Sequence, residues 1–383
     1  MIKKDFIYVG IILLLIFLAI FYLQKNQQRP QPQEAPITAY DADREKYDWN
    51  ITEVATNLEV PWDMALAPNK DIFITERPGR LKILTKNGEV KTVASLPQVA
   101  SVGESGLTGL ALHPDFSKNG YIYLYYTYRK SGGIFNRVSR FIYKNTQISD
   151  ETIILDQLPG GVIHNGGRLR FGPDKKLWVL TGDGAKPDTA QNMESLGGKV
   201  LRINDNGSVP SDNPVKGSLI YSLGHRNPQG LDFHPLTEEI LVTEHGETAH
   251  DEINLIKPKA NYGWPIVKKC FSDNPQYASP ILCSEEQTYA PSGSAFIGSK
   301  IWRLRDSFFF AGLRGQLLER LEIINGQVTA RETVVKDQYG RLRGVLADPK
   351  EGVLYVSTSN RDGRGNPKTG DDKILKIQPK LVN

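Results

Sequence analysis

The chain has 383 residues, with 47 Lys+Arg against 43 Asp+Glu, 35 Gly, 23 Pro and 2 Cys. That length suits one large repeated domain or two medium ones, and the near balance of charge leaves no basic field able to hold a nucleic-acid backbone. Abundant Gly and Pro with few periodic Ala/Leu/Glu/Lys segments exclude a helical protein and point to many strands joined by tight turns.

The first predicted element is the apolar run Phe6 to Leu23, about long enough to cross roughly 30 Å of hydrocarbon as a helix. Lys3 and Lys4 precede it, which places the N-terminus inside and sends the rest of the chain across the membrane. A cleaved signal peptide would have a shorter apolar core ending in small residues, whereas this run ends Ile20-Phe21-Tyr22-Leu23. The reading is therefore an uncleaved anchor over residues 1–23, with secretion as the outcome if the segment is cleaved. Residues 24–46 contain a Gln/Pro-rich stretch that reads as an extended tether, and the folded domain is expected over 47–383. Cys270 and Cys283 either close a short loop in an oxidising compartment or stay as two thiols.

From Tyr47 onward one pattern recurs: a short apolar stretch, a Pro or Gly turn usually with Asp or Asn, then a strongly apolar strand. Ala65-Leu66-Ala67-Pro68-Asn69 precedes a strand from Ile72, and Leu110 to Asp115 precedes one from Tyr121. Leu169 to Asp174 precedes one from Leu177, and Leu231 to Pro235 one from Ile240. A degenerate copy, Ser294 to Gly298, precedes Phe308, and Val345 to Pro349 precedes Val353. Further strands follow at Arg80 to Leu84, Lys199 to Ile203 and Lys373 to Ile377 with period-two alternation. Six such units predict an all-β chain closed as a six-bladed β-propeller; a pair of β-sandwiches is the alternative, and it does not require an internal period.

In a propeller the loops at one end of the central channel converge, so polar residues far apart in sequence can share a site. His164, before the third strand pair, can act as a general base, and Asp183, at the far end of that pair, can return to orient it. Arg226, Arg314, Arg341 and Arg343 could surround a compact polyanion through bidentate guanidinium contacts. Glu244-His245-Gly246-Glu247 with Asp251-Glu252 offers oxygens for a hard cation, without the register of an EF-hand. Each of these has a structural reading when taken alone: a turn Asp, a core His, scattered surface arginines.

Taken together and in order, these segments resemble the glucose/sorbosone dehydrogenase family, the soluble-type quinoprotein aldose sugar dehydrogenases. The likeness runs from about Val54 to Ile377 and rests on Gly106 to Phe116, His164 to Asp183, Gly224 to Gly230, Asp251 to Ile256 leading to Asn261-Tyr262-Gly263-Trp264-Pro265, and Arg341-Leu342-Arg343. The resemblance implies a pyrroloquinoline quinone (PQQ) cofactor with Ca2+, and oxidation of an aldose at its anomeric carbon to the lactone. His164 would take the hydroxyl proton, Asp183 would orient it, and Arg226 would steady charge on the quinone oxygen. Asn227, His245, Arg314, Arg341 and Arg343 would hold the cofactor, and the carbonyls of Gly246 and Glu247 would ligate calcium.

Four departures from the family pattern bear on the substrate. Glu104 stands at the sugar where glucose-oxidising members carry Gln, Arg314 stands where Lys is usual, and Glu247 replaces a Pro. The stretch Lys268 to Ser292 does not resemble the family's substrate loop and lacks its Trp. The orientation set by Lys3 and Lys4 places the propeller in the periplasm or outside the cell, where electrons could enter a membrane-associated acceptor, with the respiratory chain a candidate. Two other functions fit a propeller with this rim: a non-catalytic module binding a ligand or protein, and a calcium-dependent lactonase, which needs carboxylates along the channel and no arginine cluster.

Overall fold

The computed structural model describes residues 47–298 and 304–382. The apolar run Phe6 to Leu23 and the tether up to residue 46 lie outside the described residues. Among the described residues, no helix is long and apolar enough to cross a membrane.

Among the described residues, twenty-four strands form six four-stranded sheets. The chain opens with β1 (Tyr47–Ala55). The first blade is β2 (Pro61–Leu66), β3 (Ile72–Glu76), β4 (Arg80–Leu84) and β5 (Val90–Ser95). The second is β6 (Leu107–Leu112), β7 (Tyr121–Lys130), β8 (Gly133–Lys144) and β9 (Gln147–Pro159), and the third is β10 (Gly166–Phe171), β11 (Leu177–Thr181), β12 (Lys199–Ile203) and β13 (Ile220–Leu223). The fourth is β14 (Pro228–Phe233), β15 (Ile240–Glu244), β16 (Glu252–Ile256) and β17 (Leu282–Cys283). The fifth is β18 (Pro291–Phe296), β19 (Ser307–Gly312), β20 (Leu317–Ile324) and β21 (Gln327–Lys336). The sixth joins β22 (Leu342–Asp348), β23 (Val353–Thr358) and β24 (Ile374–Leu381) to β1, which pairs antiparallel with β24 from Tyr47 opposite Leu381. Six sheets in a ring exclude the paired sandwich.

The strand starts expected at 72, 121, 177, 240 and 353 are the first residues of β3, β7, β11, β15 and β23, and β19 starts one residue before Phe308. These second strands are legible because they are buried on both faces: β11 and β15 are buried at every position. Outer strands such as β5 and β21 are exposed or half-buried at all but one position each and carry no such run.

Apolar clusters sit between blades rather than within them. Phe73 and Leu81 of the first blade pack with Leu110 and Leu124 of the second, and Leu241 and Ile253 of the fourth with Phe308 and Leu321 of the fifth. The ring closes where Met64 and Ile74 meet Ile374. Each buried Leu, Ile or Phe stabilises this arrangement by about 1.5–3 kcal/mol, so each blade depends on both neighbours. The exposed stretch between β16 and β18 is clipped by a Cys270–Cys283 disulfide with Cα atoms 5.7 Å apart, which settles the pairing left open by the sequence.

One irregularity repeats around the ring. In all six blades the pairing of the innermost strand with the second shifts register near the start of the innermost strand, at Pro61/Asp63, Leu107/Leu110, Gly166/Leu169, Pro228/Gly230, Pro291/Ser294 and Leu342/Val345. Bulges of this kind bend a strand and re-aim the side chains beside it. The innermost strands also approach closely: a Cβ on Gly293 would lie 2.7 Å from the Arg343 carbonyl oxygen. The starts of the innermost strands and the ends of the second strands share one rim, and the Pro/Asn/Asp turns of the repeat lie on the other.

Candidate active site

His164 precedes β10 and Asp183 follows β11. Gly166 and Thr181 are paired in that hairpin, so its geometry returns the carboxylate to the imidazole. His164 Nδ1 lies 2.9 Å from Asp183 Oδ1. The backbone supports the arrangement from both sides: Gly184 N donates to the His164 carbonyl at 2.9 Å and Asp183 N to the Arg226 carbonyl at 2.8 Å. His164 has φ 59°, the left-handed region that a non-glycine residue adopts at a cost and that clusters at functional sites. Asp183 is fully buried, yet its oxygens are satisfied: Oδ1 also accepts Ala185 N at 2.8 Å, and Oδ2 accepts Trp264 Nε1 at 2.9 Å. A carboxylate can only accept, so His164 Nδ1 carries a proton, and in the neutral ring Nε2 keeps the lone pair.

Arg226 enters from the start of the fourth blade. Its backbone N–H donates to Glu244, its guanidinium stands 5.2 Å from the centre of the Trp264 ring, and its Nη1 donates to the His245 carbonyl at 3.4 Å. Burial holds the Arg226 guanidinium below its ordinary range, against the pull of Asp183, Glu244, Glu104 and Glu247. Asn227 accepts Gly166 N at 3.1 Å, tying the third blade to the fourth, and its amide lies 3.5 Å from His245 Nδ1. Burial likewise holds the His245 imidazole down, despite Asp251 and Glu104, and so favours the neutral ring.

Two cavities meet at His245. One of about 330 Å3 is lined by Arg226, His245, Gly246, Glu247, Trp264 and Lys268. The other, about 440 Å3, is lined by Glu104, Asn165, His245, Arg341, Arg343 and Arg364. Arg314 is exposed and lines a third cavity, of about 900 Å3, which shares Arg341 and Arg364 with the second. The structure thus brings His164, Asp183, Arg226, Asn227, His245, Arg341, Arg343 and Glu104 to one end of the channel and sets Arg314 at its margin.

The arginines are only partly neutralised. Arg341 and Arg343 share a single carboxylate, Asp362 Oδ2, with Arg341 Nη2 at 2.9 Å and Arg343 Nη2 at 3.4 Å. Burial pushes Arg343 down to about 10, and neighbouring Arg77 and Arg341 add to that while Asp362 opposes it. Arg226 Nε, Arg77 Nε and His245 Nε2 are buried without a hydrogen-bond partner among the described residues. Leaving such a group unsatisfied costs about 1–3 kcal/mol. A planar polyanion with several acceptor oxygens would satisfy them and balance the excess positive charge, so the residues present fit a tricarboxylate quinone.

The acidic stretch reads differently in the structure. The Asp251 carboxylate accepts Gly246 N, Tyr289 N and Ala290 N at 3.1, 2.6 and 2.9 Å and so pins the loop. Glu244 is held by His225 Nδ1 at 2.7 Å, and Glu252 is pushed up to about 8 by burial and by Glu244. Among the described residues no group of three or more His, Cys, Asp or Glu could hold a metal. The carbonyls of Gly246 and Glu247 accept no hydrogen bond among the described residues and border the first cavity. A Cβ on Gly246 would lie 2.6 Å from the His250 carbonyl oxygen, so the tight turn itself demands glycine. These two carbonyls fit a hard cation, which takes oxygen ligands of this kind.

Sequence reasoning missed Trp264 as the partner of Asp183, Asp362 as the hub of the arginines, and Arg77 and Arg364 as members of the rim. The last three follow second strands, the position from which Asp183 and His245 come, so blade position was the available signal.

A family model described as Glucose / Sorbosone dehydrogenase matches residues 58–374. Quinoprotein glucose dehydrogenase B of Acinetobacter calcoaceticus is 35% identical over 271 residues, covering 62% of this chain and 56% of that protein. Aldose sugar dehydrogenase YliI of Escherichia coli (strain K12) is 29% identical over 358 residues, covering 86% of this chain and 93% of that protein. The solved structure of the PQQ-bound form of aldose sugar dehydrogenase from Streptomyces coelicolor is similar with a TM-score of 0.80 and 34% identity, covering 88% of this chain and all of that one.

Proposed function

The chain belongs to the glucose/sorbosone dehydrogenase family, and from that premise we propose that it is a quinoprotein dehydrogenase oxidising an aldose at the anomeric carbon to the lactone. The observation that carries this reading is the junction of two features: an imidazole oriented by a buried carboxylate, and beside it a cavity with unpaired buried cationic donors. When bound, PQQ supplies a hydride acceptor and calcium a Lewis acid beside it.

The chain's own residues do the rest. His164 Nε2 takes the proton of the anomeric hydroxyl, and Asp183 holds Nδ1–H and stabilises the imidazolium that results. Trp264 fixes the other oxygen of Asp183, so the carboxylate cannot rotate away. Arg226, already in place over Trp264, offers a positive charge where negative charge develops, which costs no reorganisation. Asn227, His245, Arg314, Arg341 and Arg343 hold the cofactor's carboxylates and ring, the carbonyls of Gly246 and Glu247 ligate calcium, and Glu104 meets the sugar.

We further assign residues 1–23 to a membrane anchor, 24–46 to a linker and 47–383 to the catalytic propeller, facing the periplasm or cell exterior. The Cys270–Cys283 disulfide supports an oxidising compartment. Electrons would leave for an acceptor outside the chain, the respiratory chain being the candidate.

The test is reconstitution of purified protein with PQQ and calcium, followed by dye reduction over a panel of aldoses. Reduction that needs quinone, calcium and sugar together is expected. Absence of turnover with every aldose, despite bound quinone, would favour a ligand-binding propeller instead.

A further inference from the structure

Glu104 is held from two directions. Its Oε2 accepts the backbone N–H of His164 at 3.2 Å, and its Oε1 lies 2.6 Å from Nη1 of Arg364. Arg364 comes from the sixth blade, which closes the ring against the first, in the loop after β23, 260 residues further along the chain. Its side chain is 57% exposed and that of Glu104 20%, and both line the cavity shared with His245, Arg341 and Arg343.

The loops behind them are fixed. Gly103, with φ 61°, packs so closely that a Cβ would come 2.5 Å from Val162 Cγ1, and a Cβ on Gly365 would come 2.8 Å from Arg341 Cδ. Asp362 joins the two halves of the cavity: Oδ2 takes Arg341 and Arg343, while Oδ1 accepts the backbone N–H of Arg364 at 2.9 Å. The loop that organises the arginine pair therefore also places the cation that meets Glu104. Burial favours protonation of Glu104, but the bonds from Arg364 and His164 N, with the charge of Arg364, outweigh it and keep the carboxyl below the ordinary range.

We infer that Arg364 is a positioning residue that sets sugar specificity: it anchors one oxygen of Glu104 while His164 N anchors the other, and so fixes that carboxylate as an acceptor for a sugar hydroxyl. This rests on the dehydrogenase reading above and deepens it by naming how the sugar is chosen. A carboxylate offers about four lone-pair sites, and two are used here, which leaves acceptor capacity facing the cavity. The preferred class is an uncharged aldose with a hydroxyl donor at the position facing Glu104. An analogue lacking that hydroxyl is rejected because the acceptor is left unpaired.

The experiment uses the protein loaded with PQQ and calcium, with D-glucose, D-galactose, D-xylose and the monodeoxy analogues of D-glucose as probes. Arg364→Ala is expected to raise KM for the best aldose about tenfold while kcat changes less than about threefold, and to narrow the discrimination against one monodeoxy analogue. Arg364→Lys should recover part of the KM loss. Adding Glu104→Gln to Arg364→Ala should change KM by less than about twofold, because both act through one contact. Bound quinone, read by its absorbance, and the melting temperature of Arg364→Ala should be those of the unsubstituted protein, since the Arg364 side chain is largely exposed.

Unchanged KM and deoxy-sugar discrimination in Arg364→Ala would overturn the inference while leaving the dehydrogenase reading intact. So would effects that multiply in the double variant, or loss of quinone along with turnover, which would make Arg364 a cofactor ligand. If the unsubstituted protein binds quinone but oxidises no aldose, the dehydrogenase reading falls and this inference falls with it.

Discussion

At the scale of single residues the site is a chain of anchored groups, each fixed by the next. His164 is assigned to the sugar's proton and not to the cofactor, so His164→Ala should retain quinone and lower turnover by roughly a hundredfold to ten-thousandfold. Single-turnover dye reduction with bound quinone quantified checks this, and near-normal turnover would remove His164 from the mechanism. Trp264 acts one step back, through its 2.9 Å bond to Asp183 Oδ2. Trp264→Phe keeps most of the ring and deletes a hydrogen bond to a charged group, worth about 1.5–3 kcal/mol, so kcat should fall by roughly ten- to a hundredfold. His164 and Asp183 were legible in the sequence because a hairpin spans the distance between them. Trp264 and Arg364 were not, since their partners lie 81 and 260 residues away and no local period relates them.

Among the elements, the loop between β11 and β12 carries Asp183 and depends on a fully buried lysine. Lys199 Nζ donates to the carbonyls of Thr189, Ala190 and Gly197 at 2.7, 3.0 and 2.7 Å, while burial alone pushes its ammonium down to about 7. Lys199→Met fills the volume but removes three hydrogen bonds and leaves the Gly197 carbonyl without a donor, while those of Thr189 and Ala190 keep the N–H groups of Asn192 and Gly224; it should cost about 1.5–3 kcal/mol in denaturant unfolding, and a change below about 1 kcal/mol would show that water replaces the amine. Between the fourth and fifth blades, Asp232 Oδ2 accepts Phe296 N at 2.6 Å. Burial pushes Asp232 up from 3.8 to about 6, more than the Phe296 N–H and Arg170 bring it down. The folded chain then holds a proton that the unfolded chain has released, so stability falls as pH rises through that interval. Asp232→Asn should melt with a flatter pH dependence there and be the more stable form above it; parallel curves for the two proteins would refute this. The second strands were readable because burial on both faces leaves an unbroken apolar run, whereas β5 and β21 alternate irregularly on the solvent side. The bulges were invisible, because register is set by neighbours across the sheet and not by composition along it.

For the whole molecule, the sixfold turn-and-strand pattern was enough to count blades, since the pattern survives the loop insertions that make its spacing uneven. It marked the rim with the Pro/Asn/Asp turns, however, and not the rim with the chemistry. The residues at the site's end are tied to their blades by position only, which is why Arg77, Asp362 and Arg364 escaped notice. Closure has its own implication. Because β1 completes the last blade, Tyr47 and Leu381 are neighbours in one sheet. The order in which the blades are strung along the chain is then a matter of where the ring happens to be cut. Joining residues 47 and 381 through a short linker and opening the exposed β8–β9 turn at Asn145-Thr146 should yield a rearranged chain with the same quinone content and sugar preference, readable by absorbance and dye reduction. A permuted chain that expressed as folded protein yet had lost both would mean that the seam, and not only the ring, is needed to shape the site.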